Sequence, residues 1–229
     1  KFFLRSSKKI FCYSNKIKNF PVDFKYKIAI INPLVSKNIY KLNSNSTFKK
    51  NKFTILVVGG SQGANIFDRN LKNTIVDISK KNSIRIIQQT NTKNISALSD
   101  FYRKYNIENK IFSFDKDFAN IIQESDLCVT RAGASTLAEL SVMNIPFIAV
   151  PLPTSKDNHQ FENANFYKNK DCCWIIEQKN FEEKIEEYLS NILINKSEYL
   201  KIKENLKKMN FQNTWINVNQ KILKDLNEN

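Results

Sequence analysis

Glycine is scarce in this chain: only 4 of the 229 residues are glycine, and all four lie in two short segments. These segments are residues 59–63 (Gly-Gly-Ser-Gln-Gly) and residues 131–136 (Arg-Ala-Gly-Ala-Ser-Thr). The rest of the sequence is rich in lysine and asparagine, with 31 residues of each. In a sequence of such biased composition, glycine persists where the backbone must adopt a positive φ or approach a ligand closely. We therefore expect the two segments to mark the functional surface.

Histidine, paired cysteines and long apolar runs are also nearly absent. The single histidine, His159, has no second histidine to act with. Cysteines stand at positions 12, 128, 172 and 173 without a C-x-x-C pair, which excludes a zinc spacing and a disulfide framework and favours a reducing, cytosolic compartment. No apolar stretch approaches the roughly 20 residues of a transmembrane helix. Because no acidic pair has metal-ligand spacing, we predict no metal and no cofactor.

Positive charge is plentiful, with a formal net charge of +14. Residues 1–50 carry eleven Lys and Arg5 against a single acid, Asp23. This basic segment is either a patch for an anionic partner or lysine drift on solvated faces. Arginine is scarce and no basic-aromatic motif is present, so we expect no nucleic-acid partner.

An anionic membrane surface is the favoured alternative for this basic segment, because phenylalanines are interleaved with its lysines. The competing interpretation is that each phenylalanine belongs to a core. The phenylalanines concerned are Phe2, Phe3, Phe11, Phe20 and Phe24.

Apolar strand-like runs alternate with amphipathic helical stretches along the chain. This alternation predicts an α/β fold, a doubly wound Rossmann-like parallel sheet that binds ligands beyond the carboxyl ends of its strands. The predicted strands are 27–31, 53–58, 83–88, 110–114, 126–130, 146–150 and 172–176. The predicted helices are 64–80, 95–105, 117–124, 135–143, 160–169, 181–194, 197–209 and 213–226, with a helical turn at 38–42.

The first glycine segment follows the strand 53–58 and opens a helix. Such a turn points free backbone N–H groups and the positive end of the helix dipole at one place, which predicts a phosphate site with Ser61 adding a hydroxyl donor. The segment lacks both the G-x-G-x-x-G pattern and the Lys-Ser/Thr of a P-loop, so neither a dinucleotide enzyme nor an NTPase is supported. A plain strand-to-helix turn remains the alternative.

The second segment repeats this arrangement after the strand 126–130. Gly133 and Ala134 permit close approach of a ligand to the backbone. Glu139 follows Ser135 by one helical turn, so its carboxylate is placed to accept hydrogen bonds from a ribose diol. The alternative is that Ser135 and Glu139 merely cap and solubilise the helix. A third loop, residues 151–160, carries His159, for which we expect a binding role rather than that of a general base.

Residues 57–64, 114–139 and 150–164 together resemble the C-terminal domain of the MurG family. These bacterial transferases act in peptidoglycan biosynthesis, moving N-acetylglucosamine from UDP-N-acetylglucosamine to undecaprenyl-diphosphoryl-N-acetylmuramoyl-pentapeptide (lipid I) to give lipid II. The resemblance implies a GT-B fold, inverting transfer, an undecaprenyl-linked acceptor and a peripheral location on the cytoplasmic face of the bacterial inner membrane.

The resemblance also implies site residues. Those expected at the diphosphate are Gly60, Ser61, Gln62 and Gly63. Those expected at the diphosphate and ribose are Gly133, Ala134, Ser135, Thr136, Leu137, Ala138 and Glu139. Residues 114–118, with Asp115 and Phe118, would line the uracil pocket, and Gln160 would bind the transferred sugar beside His159 and Asn163. No catalytic residue is expected in this chain, because the family's base lies upstream of Lys1.

Two positions depart from the family pattern. The family's Asn-Pro-Val-Arg reads Asn32-Pro33-Leu34-Val35 here, so its arginine is absent. The uracil-reading position, commonly Ile, is Asp115, and specificity there then depends on main-chain groups.

The implied domain organisation begins inside a longer protein. Residues 1–32 would be the remnant of an acceptor domain, 33–52 a linker, 53–212 the donor-binding domain, and 213–229 a helix returning toward the acceptor domain. We expect an N-terminal portion before Lys1, and we expect this chain alone to bind UDP-sugar weakly and to catalyse nothing. The alternative is a non-catalytic, nucleotide-sugar-binding subunit of a split GT-B glycosyltransferase.

Overall fold

Two parallel β-sheets of unequal size organise the protein. The computed structural model describes residues 2–13, 17, 19–43, 52–210 and 213–227. Within these ranges there is a two-stranded sheet near the N-terminus and a six-stranded sheet that holds the core.

The small sheet belongs to the N-terminal segment. Its elements are α1 (Phe2–Ser6), β1 (Ile10–Cys12), a 3-10 helix (Val22–Lys27), β2 (Ile28–Ile30) and α2 (Lys37–Asn43). β1 and β2 are parallel, with Ile10 opposite Ile28. The buried Lys27 ammonium donates to the carbonyl oxygens of Leu4 (2.8 Å), Arg5 (3.0 Å) and Ser7 (2.6 Å), and so satisfies the carboxyl end of α1. The strand predicted at 27–31 is confirmed as β2, whereas β1 was not predicted.

The large sheet has the topology expected of a doubly wound fold. Its strands are β3 (Phe53–Val58), β4 (Ile84–Gln89), β5 (Glu108–Phe112), β6 (Leu127–Thr130), β7 (Phe147–Ala149) and β8 (Trp174–Ile175). They are all parallel and run in the order β5-β4-β3-β6-β7-β8. The chain therefore builds outward from β3 to β5 and then crosses to the other side of β3. The reversal lies between β3 and β6, where ligands of such sheets bind.

Helices connect and cover these strands. They are α3 (Gly60–Asn70), α4 (Lys72–Ser79), α5 (Ile95–Lys104), α6 (Phe118–Gln123), α7 (Ala134–Val142), α8 (His159–Lys168), α9 (Phe181–Ile194), α10 (Lys196–Asn210) and α11 (Trp215–Asn227). The helix predicted at 64–80 begins earlier, at Gly60, and is divided at the fully buried Leu71. Across the described ranges, no helix has both the length and the apolar character needed to cross a membrane.

The core lies on both faces of the large sheet. Ile55, Leu56 and Val57 of β3 are 0% exposed. The helix α4 lies against α3 and α9, the helix α7 lies against α8 and α10, and all of these helices contribute residues to the same buried core as β3. Phe67 of α3 meets Phe181 of α9 edge-on, with ring centroids 5.3 Å apart. All four cysteines carry free thiols. The predicted α/β class is confirmed.

The segment after the small sheet packs against the large one. Ile39 of α2 is 1% exposed and belongs to the same core, where α2 lies against α6 and α7. The buried Asn213 accepts a hydrogen bond from the Tyr40 hydroxyl (3.1 Å) and donates to the Pro33 carbonyl oxygen (3.2 Å). Residues 37–43 of the predicted linker form a helix, where a helical turn was predicted at 38–42, and residues 44–51 lie outside the described residues. The proposed domain boundaries stay a prediction.

Candidate functional site

Two helices begin at the carboxyl ends of neighbouring central strands. α3 follows β3 at Gly60, and α7 follows β6 at Ala134. Val58 pairs with Thr130 in the sheet, and the Arg131 N–H donates to the Val58 carbonyl oxygen (3.1 Å), so both helix starts lie at the same edge. Because a helix N-terminus presents unpaired N–H groups and a positive dipole end, this edge favours an anion.

The glycines of the two turns differ in conformation. Gly60 has a φ of +63°, in the left-handed region that favours glycine. Gly133 has φ −68° and ψ 134°, an extended conformation open to any residue. A Cβ placed on Gly133 would meet no atom within 4 Å beyond its chain neighbours. Neither backbone conformation nor crowding within the protein therefore requires glycine at position 133, and the space beside it is open.

The first turn of α7 separates the predicted binding residues into exposed and buried ones. Ala134 and Ser135 are exposed and Thr136 is half-buried, whereas Leu137 and Ala138 point into the core. No side chain caps this helix. The side chains of Leu137 and Ala138 are therefore not available to a ligand, and a role of these two residues through the backbone stays a prediction. In α3, the backbone of residues 61–63 forms the first turn.

A hollow of about 320 Å³ lies between α2, α6 and α7. Phe118 and Glu139, predicted separately for nucleoside and ribose, both line it. Its other lining residues are Ser36, Asn38, Ile39, Lys41, Leu42, Lys116, Asp117, Ala119 and Asn120. Burial raises the pKa of Glu139 above its ordinary value. The structure thus brings the acid of the second glycine segment and the segment after β5 into one concavity.

Asp115 uses its carboxylate within its own loop. Its Oδ1 accepts from the Asp117 N–H (2.8 Å), and its Oδ2 lies 3.6 Å from the Lys110 ammonium. The neighbouring Phe114 is 78% exposed, while Phe118 packs partly against the core. The carboxylate at this unusual position is therefore held by protein groups.

Gln160 and Asn163, predicted near the transferred sugar, hold the turn after β6. The Gln160 carbonyl oxygen accepts from the N–H groups of Ala132 (3.1 Å) and Leu152 (3.0 Å), and the Asn163 amide donates to the Ala132 carbonyl oxygen (3.0 Å). These bonds satisfy both backbone groups of the buried Ala132. The contact of Gln160 with sugar stays a prediction, and its carbonyl oxygen is already occupied.

His159 is exposed and begins α8. Its Nδ1 lies 2.7 Å from the Lys156 carbonyl oxygen. Because a carbonyl oxygen only accepts, Nδ1 carries the proton and Nε2 of the neutral ring is an acceptor. The preceding Asp157 and Asn158 both have positive φ, at 52° and 56°, which turns the chain sharply into the helix. The position of His159 beside the transferred sugar stays a prediction.

Sequence reasoning missed Arg131, although it directly follows an apolar strand. Arg131 is 8% exposed, and its guanidinium donates to the Val150 carbonyl oxygen (3.1 Å) and to Gln178 Oε1 (2.6 Å), with the Phe67 ring 5.5 Å away. Within the described ranges no carboxylate pairs with Arg131, and burial lowers its pKa. A charged residue at the end of a buried strand was the available signal.

The polar end of β4 was also missed. Asp68 of α3 accepts hydrogen bonds from Gln88 (2.9 Å), Thr90 (2.6 Å) and Asn94 (3.0 Å), which fixes this strand end against α3. Gln89 reaches the first glycine turn itself, where its Oε1 accepts from the Gly60 N–H (3.0 Å). The run of polar residues closing an apolar strand was the signal here. Among the described residues, no group of three or more His, Cys, Asp or Glu is arranged to hold a metal ion.

Comparison with known proteins identifies the family. Residues 54–217 match the glycosyltransferase family 28 C-terminal domain. The chain belongs to this family. It is 48% identical over 231 residues to a protein of Pelagibacter ubique (strain HTCC1062), and 37% identical over 203 residues to one of Rickettsia canadensis (strain McKiel). Both are named UDP-N-acetylglucosamine–N-acetylmuramyl-(pentapeptide) pyrophosphoryl-undecaprenol N-acetylglucosamine transferase.

These alignments cover all of this chain and 64% of the first relative, and 85% of this chain and 57% of the second. The fold resembles that of MurG from Acinetobacter baumannii, with a TM-score of 0.64 and 23% identity over 84% of this chain and 54% of that one. It also resembles a UDP-GlcNAc 2-epimerase from Neisseria meningitidis, with a TM-score of 0.60 and 11% identity over 93% and 57%. At such low identities the two structures show a common fold alone.

Proposed function

We propose that this chain is the donor-binding part of a transferase that moves N-acetylglucosamine from UDP-N-acetylglucosamine to lipid I and forms lipid II. The names of its relatives describe this reaction. The observation that carries the proposal is the meeting of two helix N-termini, at Gly60 and Ala134, with Glu139 in the adjoining hollow.

The ligand is assigned along α7. The diphosphate lies between the starts of α3 and α7, where the N–H groups and dipoles converge. Glu139 follows Ala134 by five residues, which is about 7.5 Å along a helix at 1.5 Å per residue. That distance lets Glu139 accept hydrogen bonds from ribose hydroxyls while the diphosphate stays at the helix start. The nucleoside base then points toward Phe118, and the sugar toward α8.

Gln160 offers the sugar a donor rather than an acceptor. Its carbonyl oxygen is taken by two backbone N–H groups, so its amide nitrogen is the group that remains for a sugar hydroxyl. His159 presents Nε2 as an acceptor nearby. The two side chains together suit a hydroxyl that both accepts and donates.

The chemistry follows from where negative charge develops. The acceptor hydroxyl oxygen forms a bond to the anomeric carbon on the face opposite UDP, while the bond from that carbon to the diphosphate oxygen breaks. The leaving UDP gains negative charge, which the two helix starts stabilise without reorganising. The buried Arg131 adds a fixed positive charge at the end of β6. The group that takes the acceptor's proton belongs to the acceptor side and is not assigned to this chain.

The N-terminal segment is assigned to an anionic membrane surface on the cytoplasmic face of the bacterial inner membrane, where a lipid-linked acceptor is found. Phe3, Val22 and Tyr26 expose 82%, 75% and 76% of their surface, and lysines flank them. Apolar side chains among lysines suit a bilayer interface. Phe11, Phe20 and Phe24 are half-buried, so they contribute less to such a surface than the sequence suggested.

Calorimetry of the full chain with UDP-N-acetylglucosamine tests the donor assignment. The wild type is expected to bind, and Glu139→Ala is expected to weaken binding about tenfold or more, because charged hydrogen bonds to the ribose are lost. Glu187→Ala on the exposed face of α9 is the matched control and should bind as the wild type does. A folded wild-type chain without affinity for this ligand or for UDP would remove the proposal.

A further inference from the structure

Gln89 connects two parts of the candidate site that belong to different strands. It ends β4, which lies between β3 and β5 in the sheet. Its Oε1 accepts a hydrogen bond from the Gly60 N–H (3.0 Å), in the turn after β3. Its Nε2 donates to the Ser113 carbonyl oxygen (3.1 Å), in the segment after β5. One amide therefore joins the turn assigned to the diphosphate to Ser113, the residue immediately before the segment 114–118 that is assigned to the nucleoside.

The orientation of this amide is fixed by chemistry. Gly60 offers only a donor at this contact and Ser113 only an acceptor, so the carbonyl of Gln89 must face Gly60 and its amide must face Ser113. A flipped amide would put two donors together at one end and two acceptors at the other.

The surroundings keep Gln89 in place. The adjacent Gln88 donates to Asp68 (2.9 Å) and accepts from the Tyr102 hydroxyl (2.8 Å), which ties β4 to α3 and α5. The Thr90 N–H donates to the Phe112 carbonyl oxygen (2.8 Å), which ties the strand end to β5. The half-buried Gln89 thus extends from a rigid base toward the site edge.

We propose that Gln89 is a positioning residue that fixes the separation between the diphosphate turn and the nucleoside segment. The inference rests on the function proposed above and adds a specificity to it. A nucleoside diphosphate links its two ends covalently, so it gains affinity over its separate halves only when the protein holds both subsites at the matching distance. Gln89 therefore favours an intact nucleoside diphosphate over a nucleoside or a pyrophosphate alone.

The test uses the full chain, labelled with ¹⁵N and titrated by NMR with UDP, uridine and inorganic pyrophosphate, so that weak binding is measured as well as strong. In Gln89→Met, the bridge is lost without a change of charge. The dissociation constant for UDP is expected to rise about tenfold. Those for uridine and pyrophosphate are expected to stay within about twofold, because each half still has its own subsite.

A second variant separates the effect of an added negative charge from the effect of losing the hydrogen-bond bridge. Gln89→Glu keeps an acceptor for the Gly60 N–H, loses the donor to Ser113 and adds a negative charge beside the diphosphate. UDP and pyrophosphate are both expected to bind more weakly, and uridine is not. Asn109→Leu is the matched control: this half-buried amide on β5 also accepts one hydrogen bond (Ser99, 2.9 Å) and donates another (Ile107, 3.0 Å), but it lies toward the opposite edge of the sheet. It should leave the relative affinities of the three ligands unchanged.

The outcomes separate the two proposals. If Gln89→Met binds UDP within twofold of the wild type, or if all three ligands weaken by the same factor, Gln89 has no positioning role. If the folded wild type binds none of the three ligands, the proposed function itself fails, and the role of Gln89 falls with it.

Discussion

The two strand-to-helix turns of the site, after β3 and after β6, have similar sequences but meet different demands. In the first turn, Gly60 adopts a left-handed backbone and its N–H is already bonded to Gln89. In the second turn, Gly133 has an ordinary extended backbone. Open space where a Cβ would lie and a helix start without a side-chain cap are common to both turns, so the backbone conformation is what distinguishes them. The first glycine is explained by the conformation of the chain. The second is explained by what the turn is expected to bind.

The largest expected effect is on binding, at the second turn. Gly133→Ala should weaken UDP binding by about 1–3 kcal/mol, since the added methyl enters the space assigned to the diphosphate. The free energy of unfolding should stay unchanged or rise by up to about 1 kcal/mol, because alanine restricts the unfolded chain. Calorimetry and denaturant unfolding measure the two quantities. Equal losses of stability and affinity would show that the glycine serves the fold instead.

The complementary change at the first turn should act on stability. Gly60→Ala forces a residue with a Cβ into the left-handed region, which costs about 1–2 kcal/mol. Thermal unfolding should detect a midpoint lower by about 2–8 °C. If this variant has the same unfolding midpoint as the wild type, the backbone conformation does not explain the glycine at position 60.

A smaller effect is expected on the pH dependence of UDP binding, through Glu139 in the helix that follows the second turn. Burial raises the pKa of Glu139, so its carboxylate becomes protonated at a higher pH than an ordinary glutamate. UDP binding should therefore weaken as the pH falls through this raised value, by roughly twofold when the pH equals the pKa. Glu139→Gln should bind UDP more weakly at pH 7 and lose this pH dependence.

The raised pKa of Glu139 affects folding stability and UDP binding in opposite directions: as the pH rises, binding becomes stronger and the free protein becomes less stable. A carboxyl group whose pKa is higher in the folded state stabilises the fold below its unfolded pKa, and this contribution is lost as the pH rises through the folded pKa. Glu139→Gln should then be slightly more stable than the wild type at pH 7 while binding less tightly. Unfolding curves at pH 4 and pH 7 check this; a variant that is less stable than the wild type at pH 7 would contradict it.

The smallest effect on UDP affinity is expected for Asp115, in the loop that follows β5. Asp115→Asn retains an acceptor for the Asp117 N–H and loses only the ion pair with Lys110. UDP affinity should change less than about twofold, because the carboxylate serves its own loop. Titration of the purified variant measures this, and a larger change would place the side chain in contact with the nucleoside.

The sequence was sufficient for the features that depend on local pattern. The apolar runs of β3 and β6 and the small-residue turns after them predicted a helix after each strand, because buried parallel strands have few other compositions. The start of α7 was predicted to within one residue, whereas α3 begins at Gly60, before the predicted start at Ala64. The strand β5 was predicted two residues too late in the sequence, at 110–114 instead of Glu108–Phe112. Apolar Phe114 suggested strand, whereas pairing of Glu108 with Arg85 on β4 (3.3 Å) places the strand earlier. The break at Leu71 was missed, since the helical periodicity continues across it.

The contacts of Gln89, Gln160 and Arg131 were beyond sequence reasoning for a different reason. Each joins loops that follow different strands, so its partners depend on the order of strands in the sheet. The alternating pattern predicts a parallel sheet but leaves that order open. Gln160 was assigned to the sugar, and only the structure shows that its carbonyl oxygen serves Ala132 and Leu152.

The adjacency of β3 and β6 has a consequence for cooperativity. Gly60 and Ala134 are far apart in the chain, yet a ligand held between them would fasten the two halves of the sheet to one another. Its occupancy should raise the cost of opening either half by the same linkage term, about 2.7 kcal/mol at a hundredfold excess over the dissociation constant. Amide exchange should then slow together in α3 and α7 when UDP is added, as if the ligand were a reversible cross-link.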